Sequence, residues 1–161
     1  MTVRIGFYGT GFISRTHNWF LKHSTADHRI VAVHDPEADR AQAFADRVGA
    51  RAVGEDELLD RVDAVFVTTW TSEHERLVAA AAERGLAVFC EKPLSLSRAA
   101  VLRAVKECNR NGVKLAVGHE KRFEPPIREI FRMAQAGELG ALLQIEANFS
   151  QDKFLSLPAD N

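Results

Sequence analysis

The sequence predicts an α/β protein with a doubly wound parallel sheet, followed by the first helix and strand of an incomplete α+β domain. Short apolar runs of strand length alternate with helical stretches up to Gly118, and most of these runs are apolar on both faces. Such runs are typical of a parallel sheet that helices cover on both sides. Beyond Gly118 the pattern changes to one amphipathic helix and one strictly alternating run.

Six apolar runs mark the predicted strands, which lie at residues 3–8, 30–34, 51–53, 63–67, 86–90 and 113–117. The predicted helices between them lie at residues 12–23, 36–48, 72–85 and 97–110. Six strands with intervening helices make one complete doubly wound domain. We place this domain at residues 1–118.

Two local signals mark the starts of helices. Pro36 suits the first position of the second helix, where its fixed φ and its missing N–H cost little. Ser72, followed three residues later by Glu75, fits a capping box, in which the two side chains satisfy free backbone N–H groups. We therefore expect helices to begin at these two positions.

A second domain is predicted to begin at residue 119 and to run to residue 161. Residues 124–136 form its amphipathic helix, and residues 137–140 form a turn. Residues 142–150 alternate between apolar and polar side chains, which favours an antiparallel strand. One strand makes no sheet, so we expect a truncated substrate and oligomerisation domain. Its unpaired strand edges would then make the chain dimerise or aggregate.

The composition excludes several classes of protein. The chain has 21 Lys+Arg and 22 Asp+Glu, a formal net charge of −1, which predicts neither a nucleic-acid nor a membrane partner. No apolar run approaches the ~20 residues that span a bilayer. Two cysteines make no disulfide framework, and no two of the six histidines have metal-site spacing, so no metal is expected. We expect a cytoplasmic protein.

A glycine turn joins the first predicted strand to the first helix. Gly9 permits the tight turn, and Gly11 lets a nucleotide pyrophosphate approach the chain. The backbone amides of Phe12 and Ile13 are then the expected donors at the helix N-terminus. Ser14 replaces the usual third glycine and is small enough for close packing. The alternative is a tight turn without a ligand.

Asp35 ends the second strand, where an acid can accept hydrogen bonds from the hydroxyls of the adenosine ribose. A carboxylate at this position repels a 2′-phosphate, which favours NAD over NADP. Arg40 lies close enough in sequence to leave NADP open. The alternative is that Asp35 simply caps the helix at Pro36, and both roles are compatible.

The run Glu91, Lys92 and Pro93 follows the fifth strand, at the edge of the sheet where ligands bind. A lysine near an oxidised nicotinamide is a natural acid or base, because burial and a nearby cation both lower a lysine pKa toward its working range. The alternative is a solvated lysine in a loop.

Together these motifs resemble the Gfo/Idh/MocA family of oxidoreductases, named after glucose–fructose oxidoreductase and inositol dehydrogenase. The matching segments are residues 5–13 with His17, then 35–36, 69–74, 91–94, 118–125 and 137–140. The resemblance implies a Rossmann domain and hydride transfer between NAD(P) and a carbinol of a sugar, an inositol or a related polyol. Lys92 falls on the family's catalytic lysine, and Glu91 on a residue that supports the nicotinamide side. His119 and Arg122 are implied to border the nicotinamide and the substrate.

The loop after the fourth strand is also expected to touch the cofactor, through Thr68, Thr69, Trp70 and His74. This loop departs from the family, which usually has Thr-Pro-Asn there, because Trp70 and Thr71 stand in place of the proline and the asparagine. Trp70 either stacks on a ring of the cofactor or packs under the loop.

A larger departure lies toward the C-terminus. Family members are much longer, and their second domain carries an Asp and a His that complete the active site with the lysine. Nothing after residue 125 matches that motif. We therefore expect this chain to bind cofactor with little or no turnover, and the full-length form to be a homo-oligomer.

Two other functions fit parts of the pattern. One is a module that holds NAD without catalysis, for sensing or assembly. The other is an S-adenosylmethionine-dependent methyltransferase, which also places a glycine turn after its first strand and an acid after its second. Residues 91–93 have no role in a methyltransferase, and the reversed strand pair expected at its C-terminal end is missing.

Overall fold

The computed structural model describes residues 1–148 and confirms the α/β class. Six parallel strands form one sheet in the order β3-β2-β1-β4-β5-β6. The strands are β1 Val3–Tyr8, β2 His28–His34, β3 Arg51–Ala52, β4 Ala64–Val67, β5 Ala87–Cys90 and β6 Leu115–Val117. The helices are α1 Phe12–Lys22, α2 Ala38–Val48, α3 Glu55–Arg61, α4 Thr71–Glu83, α5 Arg98–Arg110 and α6 Pro125–Gln135, with a 3₁₀ turn at Glu120–Phe123.

Two clusters of buried side chains lie on opposite faces of the sheet. Alternate residues of β1 point to opposite faces, so Tyr8 joins one cluster and Phe7 the other. Helices α3, α4 and α5 contribute Leu58, Leu77 and Ala104 to the first cluster. Phe44 of α2 packs in the second. Helices on both faces explain why the strands are apolar throughout.

Three phenylalanine rings form a row across the middle of the sheet. Phe7, Phe66 and Phe89 occupy paired positions on β1, β4 and β5. Their ring centroids are 4.9 Å and 4.8 Å apart, in stacked geometry. His17 of α1 packs against this row, and its ring centroid lies 4.9 Å from that of Phe89 in edge-on geometry. The packing of the sheet therefore fixes where one helical side chain points.

The chain separates into a first compact unit, Met1–Gly118, and a second unit that starts at His119. In the second unit α6 covers nearly the whole of the helix predicted at residues 124–136. Residues 142–148 form no regular element, so the predicted strand is wrong there, and residues 149–150 lie outside the described part of the chain. A strand needs a hydrogen-bonded neighbour, and among the described residues this segment has none.

Both predicted helix starts are wrong by one or two residues. Helix α4 begins at Thr71 with Trp70 at its N-cap and no side-chain cap, so Ser72 lies inside the helix. Helix α2 begins at Ala38, and Pro36 precedes its N-cap residue, Glu37. The backbone N–H of Glu37 instead donates to Asp35 Oδ1 at 3.0 Å, which turns the chain before the helix.

Helix α3 was not predicted. Its seven residues include three acidic side chains in the first turn, and only Leu58 and Leu59 are buried. Two buried residues give too short a pattern to distinguish a helix from a loop. In the described part of the chain, none of the helices combines the length and the hydrophobicity needed to cross a bilayer.

Candidate functional site

The carboxyl ends of β1, β2, β4 and β5 carry every site residue that was predicted within the first unit. Because parallel strands end at the same edge, these four loops lie along one side of the sheet. The strand order places the loop of β2 first, then those of β1, β4 and β5. The predicted residues are Gly9, Gly11, Phe12 and Ile13 after β1, Asp35 after β2, Thr68, Thr69, Trp70 and His74 after β4, and Glu91 and Lys92 after β5.

Gly9 forms a turn that no other residue fits. Its φ is +83°, and a Cβ there would lie 2.7 Å from the carbonyl oxygen of Thr68. Thr68 is buried, and its Oγ1 lies 2.9 Å from the carbonyl oxygen of Tyr8. Its backbone N–H donates to the same oxygen at 2.8 Å. Thr68 therefore holds the β1 turn against the β4 loop, and its hydroxyl is already occupied.

Gly11 leaves open space at the start of α1. It is the N-cap residue, and within residues 1–148 no side chain caps this helix and a Cβ at Gly11 would meet nothing within 4 Å. The first backbone N–H groups, at Phe12 and Ile13, therefore lack a side-chain acceptor. Ser14 is fully buried, and its hydroxyl donates to the carbonyl oxygen of Gly11 at 2.7 Å. This open helix N-terminus fits an anionic pyrophosphate.

Asp35 accepts four hydrogen bonds. Oδ2 accepts from the backbone N–H of Thr10 at 2.8 Å and from its hydroxyl at 3.1 Å. Oδ1 accepts from the N–H of Glu37 at 3.0 Å and from Arg40 Nη2 at 2.8 Å. Burial opposes ionisation, but these donors outweigh it and hold the pKa of Asp35 below its usual value. Asp35 thus binds the glycine turn and also forms the turn before α2.

The β4 loop presents one exposed aromatic ring, and the first turn of α4 behind it carries a buried imidazole. Trp70 is 81% exposed, so it does not pack under the loop. His74 is 1% exposed, with Nδ1 2.8 Å from the carbonyl oxygen of Pro93 and Nε2 3.2 Å from that of Thr69. Each ring nitrogen of His74 therefore faces one backbone oxygen, one in the β4 loop and one in the β5 loop, and the single N–H of a neutral imidazole donates to one of them.

Glu91 pairs with a helix that lies 74 positions away in the sequence. Its Oε1 lies 2.7 Å from Nε2 of His17, and its Oε2 accepts the backbone N–H of Lys92 at 2.9 Å. Burial opposes ionisation of Glu91, but the contacts with His17 and Lys92 hold its pKa below the usual value. A Cβ at Gly118 would lie 3.1 Å from Oε1, so a glycine there leaves room for the carboxylate.

Lys92 is exposed at the end of β5. Within residues 1–148 its ammonium group makes no hydrogen bond or ion pair. The described residues therefore do not supply the burial that was expected to tune this lysine. His119 and Arg122 belong to the second unit, where the N–H of Arg122 donates to the carbonyl oxygen of His119 at 3.1 Å. Their place at a cofactor stays a prediction.

The sequence did not predict the contacts of three residues that organise this site. They are His17, which partners Glu91, Arg40, which partners Asp35, and Thr10, which joins Asp35 to the glycine turn. Each acts through a contact between separate elements or across a turn. A basic side chain one turn into the helix after an acidic strand end was the available signal for Arg40.

A parallel sheet in the order β3-β2-β1-β4-β5-β6, with an open glycine turn after β1 and an acid after β2, is typical of the dinucleotide-binding Rossmann class. Comparison with known proteins gives the family. The model of the oxidoreductase family with an NAD-binding Rossmann fold, Gfo/Idh/MocA, matches residues 3–119. The chain belongs to this family.

The curated relatives include dehydrogenases of inositols. Inositol 2-dehydrogenase 3 of Saccharopolyspora erythraea is 42% identical over 147 residues, which cover 89% of this chain and 44% of the relative. The scyllo-inositol 2-dehydrogenase (NAD(+)) of Bacillus subtilis is 35% identical and covers 86% of this chain and 42% of its own length. The chain thus spans less than half the length of these relatives.

Solved structures show the same architecture. A putative myo-inositol dehydrogenase from Sinorhizobium meliloti superposes with a TM-score of 0.76 at 33% identity, covering 86% of this chain and 43% of that one. The WlbA dehydrogenase of Bordetella pertussis, in complex with NADH and UDP-GlcNAcA, gives a TM-score of 0.82 at 25% identity, covering 86% and 41%.

Proposed function

We propose that residues 1–118 bind NAD along the carboxyl edge of the sheet, as the cofactor domain of a dehydrogenase that oxidises a secondary alcohol of a polyol or sugar. The order of the site residues across the sheet carries this proposal. Asp35, the Gly9 turn, Trp70 and Lys92 follow one another on β2, β1, β4 and β5. An extended dinucleotide needs this sequence of acid, glycine turn and reaction site.

Each part of the cofactor has a matching set of groups. The pyrophosphate lies over Gly9 and Gly11 and accepts the amides of Phe12 and Ile13. The adenosine ribose lies at Asp35. The nicotinamide lies at the loops of β4 and β5, which His74 holds together. Thr68, His74 and Glu91 act mainly as supports, because their polar groups already bind protein atoms.

Lys92 is the proposed catalytic residue. When bound, the nicotinamide supplies hydride acceptance at its C4 carbon. The Lys92 amine takes the proton of the substrate hydroxyl as the carbinol becomes a carbonyl. The backbone N–H of Lys92 is held by Glu91, which fixes where the lysine side chain begins. His119 and Arg122 remain proposed neighbours of the nicotinamide on the family resemblance of residues 118–125 alone.

Inositols and related polyols are the proposed substrate class, because relatives at 35–42% identity are named for inositols. The family resemblance implies an Asp and a His that complete the active site, and nothing after residue 125 matches that motif. We therefore propose that the 161-residue chain binds cofactor with little turnover. A non-catalytic NAD-binding role would share this property. A methyltransferase does not fit the family to which the chain belongs.

We also propose that the protein is cytoplasmic. Cys90 and Cys108 are free and buried, which suits a reducing cytoplasm. We propose a homo-oligomer for the full-length form, and neither nucleic acid nor membrane as a partner.

Calorimetric titration of the purified chain tests this function. NADH is expected to bind saturably at one site, and S-adenosylmethionine is expected to give no heat of binding. A spectrophotometric assay with NAD⁺ and myo-inositol is expected to show little absorbance gain at the nicotinamide band. Binding of S-adenosylmethionine without NADH would contradict the proposal, and robust turnover by the chain alone would contradict its last part.

A further inference from the structure

A cavity of about 520 Å³ opens at the amino edge of the sheet, away from the loops of the proposed cofactor site. Its walls come from the starts of β1, β2 and β3 and from the ends of α2 and α3. Arg4, Arg29, Arg51 and Arg61 line it, and Asp60 is the one acid in the described lining. We call it the arginine cavity. Its volume lies within the range of small-molecule sites, about 300–1,000 Å³.

The register of the sheet places two of these arginines side by side. Arg4 of β1 and Arg29 of β2 are paired positions. Paired side chains of adjacent strands share one face of the sheet, and like charges at such positions repel. The carboxylate of Asp63 offsets the charge of Arg4, with Oδ2 3.0 Å from Nε and Oδ1 2.7 Å from Nη2. Within residues 1–148 the guanidinium of Arg29 has no such partner.

Arg51 is the second arginine of the cavity that lacks a partner among the described residues. Arg29 and Arg51 are both exposed, so all five N–H groups of each guanidinium are available to a ligand. An arginine in the last turn of a helix, such as Arg61, also offsets the helix dipole. Arg29 and Arg51 lie on strands, whose net dipoles are small, so this role does not account for them.

Asp60 and Glu57 do not offset the two unpaired arginines, because each has another partner. Asp60 contacts Arg84, and Oε1 of Glu57 lies 2.6 Å from Nη2 of Arg61. The described lining therefore has four guanidinium groups against one carboxylate, although the whole chain has a formal net charge of −1. A cleft with such a local excess of positive charge attracts anions, and an anion with several charges gains most.

We propose that the arginine cavity binds a small polyphosphate, an anion in which two or more phosphoryl groups follow one another, bridged between Arg29 and Arg51. The planar fork of a guanidinium matches the oxygens of a phosphate and binds two of them at once. No aromatic ring belongs to the described lining, so a base or another flat ring has no surface to stack on. The phosphate chain itself is then the part that is recognised. This site is separate from the proposed cofactor site and does not depend on it.

Calorimetric titration of the chain with inorganic tripolyphosphate tests the site, at low salt and with and without saturating NADH to cover the glycine turn. One saturable binding event is expected with NADH present, and its affinity should fall as the salt concentration rises. Arg29→Gln combined with Arg51→Gln is expected to weaken this affinity at least about tenfold, because charged hydrogen bonds to the phosphates are lost.

Arg98→Gln is the matched control for this titration. Arg98 is an exposed arginine at the start of α5, at the opposite edge of the sheet, and it too has no partner among the described residues. Its substitution is expected to leave the affinity for tripolyphosphate unchanged.

Urea denaturation without ligand distinguishes lost binding from lost structure. Removing the charge of Arg29 relieves its repulsion by Arg4, so the double variant is expected to be at least as stable as the wild type. Should the double variant be unfolded, the two single variants repeat the titration, each with an affinity several-fold weaker than that of the wild type.

Four results would overturn the proposal. The first two are no binding of tripolyphosphate and an affinity that the double variant leaves unchanged. The third is binding that NADH abolishes, which would place the anion at the glycine turn. The fourth is tighter binding of a short DNA duplex that the double variant loses, because the surface would then be a nucleic-acid site. In each case the NADH titration of the wild type still decides the proposed function separately.

Discussion

Nε2 of His17 lies 2.7 Å from Oε1 of Glu91, and this contact joins the helix behind the glycine turn to the strand end that carries Lys92. The His17 and Glu91 side chains are 18% and 12% exposed. The row of phenylalanine rings under His17 holds it in place. One pair of side chains therefore links the two ends of the proposed site, the pyrophosphate end at α1 and the nicotinamide end at Lys92.

Breaking this pair is expected to destabilise the folded chain. His17→Ala leaves a largely buried carboxylate without its side-chain partner, which costs about 1.5–3 kcal/mol of unfolding free energy near neutral pH. Urea denaturation measures the loss. Arg15→Ala, an exposed arginine on the same helix, is the control and is expected to change stability by less than about 0.5 kcal/mol.

The pH dependence of this loss follows from Glu91. Folding lowers the pKa of Glu91 below its ordinary value of 4.5, so the contact stabilises the protein above that pH and is lost as the pH falls through the folded-state value. The stability difference between wild type and His17→Ala is therefore expected to shrink as the pH falls below about 4.5. A difference that grows over this range would contradict the assignment.

Substitution of the two glycines in the β1 turn is expected to affect different properties, stability at Gly9 and NADH binding at Gly11. Gly9→Ala places a Cβ 2.7 Å from a backbone oxygen at a φ of +83°, and such left-handed strain alone costs about 1–3 kcal/mol. Gly11→Ala meets nothing within 4 Å and is expected to leave the melting temperature nearly unchanged. It is expected to weaken NADH binding at least about tenfold, because the pyrophosphate needs that space. Equal melting temperatures for both variants would contradict the role of Gly9.

Two substitutions of His74 remove its contacts with the carbonyl oxygens of Pro93 and Thr69 to different extents. The side-chain amide of His74→Asn can still donate to the Pro93 oxygen, whereas His74→Leu leaves both carbonyl oxygens without the imidazole. An unsatisfied buried polar group costs about 1–3 kcal/mol, so stability is expected to fall from wild type to Asn and further to Leu. Urea denaturation gives the order, with exposed His23→Leu as the control. A leucine variant as stable as the wild type would show that the imidazole does not hold the loops.

Trp70 is expected to report cofactor binding directly. Trp19→Phe leaves Trp70 as the single tryptophan of the chain, and Trp70→Phe leaves Trp19. Oxidised nicotinamide is a cation, and a cation over an exposed indole gains about 0.5–1 kcal/mol. NAD⁺ should therefore quench the fluorescence of Trp19→Phe and leave that of Trp70→Phe nearly unchanged. Quenching confined to Trp70→Phe would remove Trp70 from the site.

Local patterns in the sequence predicted four residues of the candidate site, and their role at a cofactor stays a prediction. Gly9, Gly11, Asp35 and Lys92 stand at the ends of apolar runs, and the ends of parallel strands meet at one edge whatever the helices do. The contacts of His17 with Glu91 and of His74 with Pro93 escaped prediction. They depend on where helices α1 and α4 pack, and no local spacing encodes that.

The errors in the fold prediction also arise because contacts between elements decide what local patterns leave open. The predicted capping box failed because the chain enters α4 through Trp70, two residues before Ser72. The alternating segment after residue 141 has strand character, but pairing decides whether a strand forms. Helix α3 buries two leucines only, too few for a periodic pattern.

An NMR titration of the ¹⁵N-labelled chain with NADH tests the central claim most directly. The largest amide shifts are expected at Thr10, Phe12, Ile13, Thr69 and Lys92, which lie in the loops after β1, β4 and β5 and in the first turn of α1. These shifts should saturate together with a single affinity. Saturable shifts confined to the opposite edge of the sheet, near Val3 and Ala87, or no shifts at all, would contradict a dinucleotide site at the carboxyl ends of the strands.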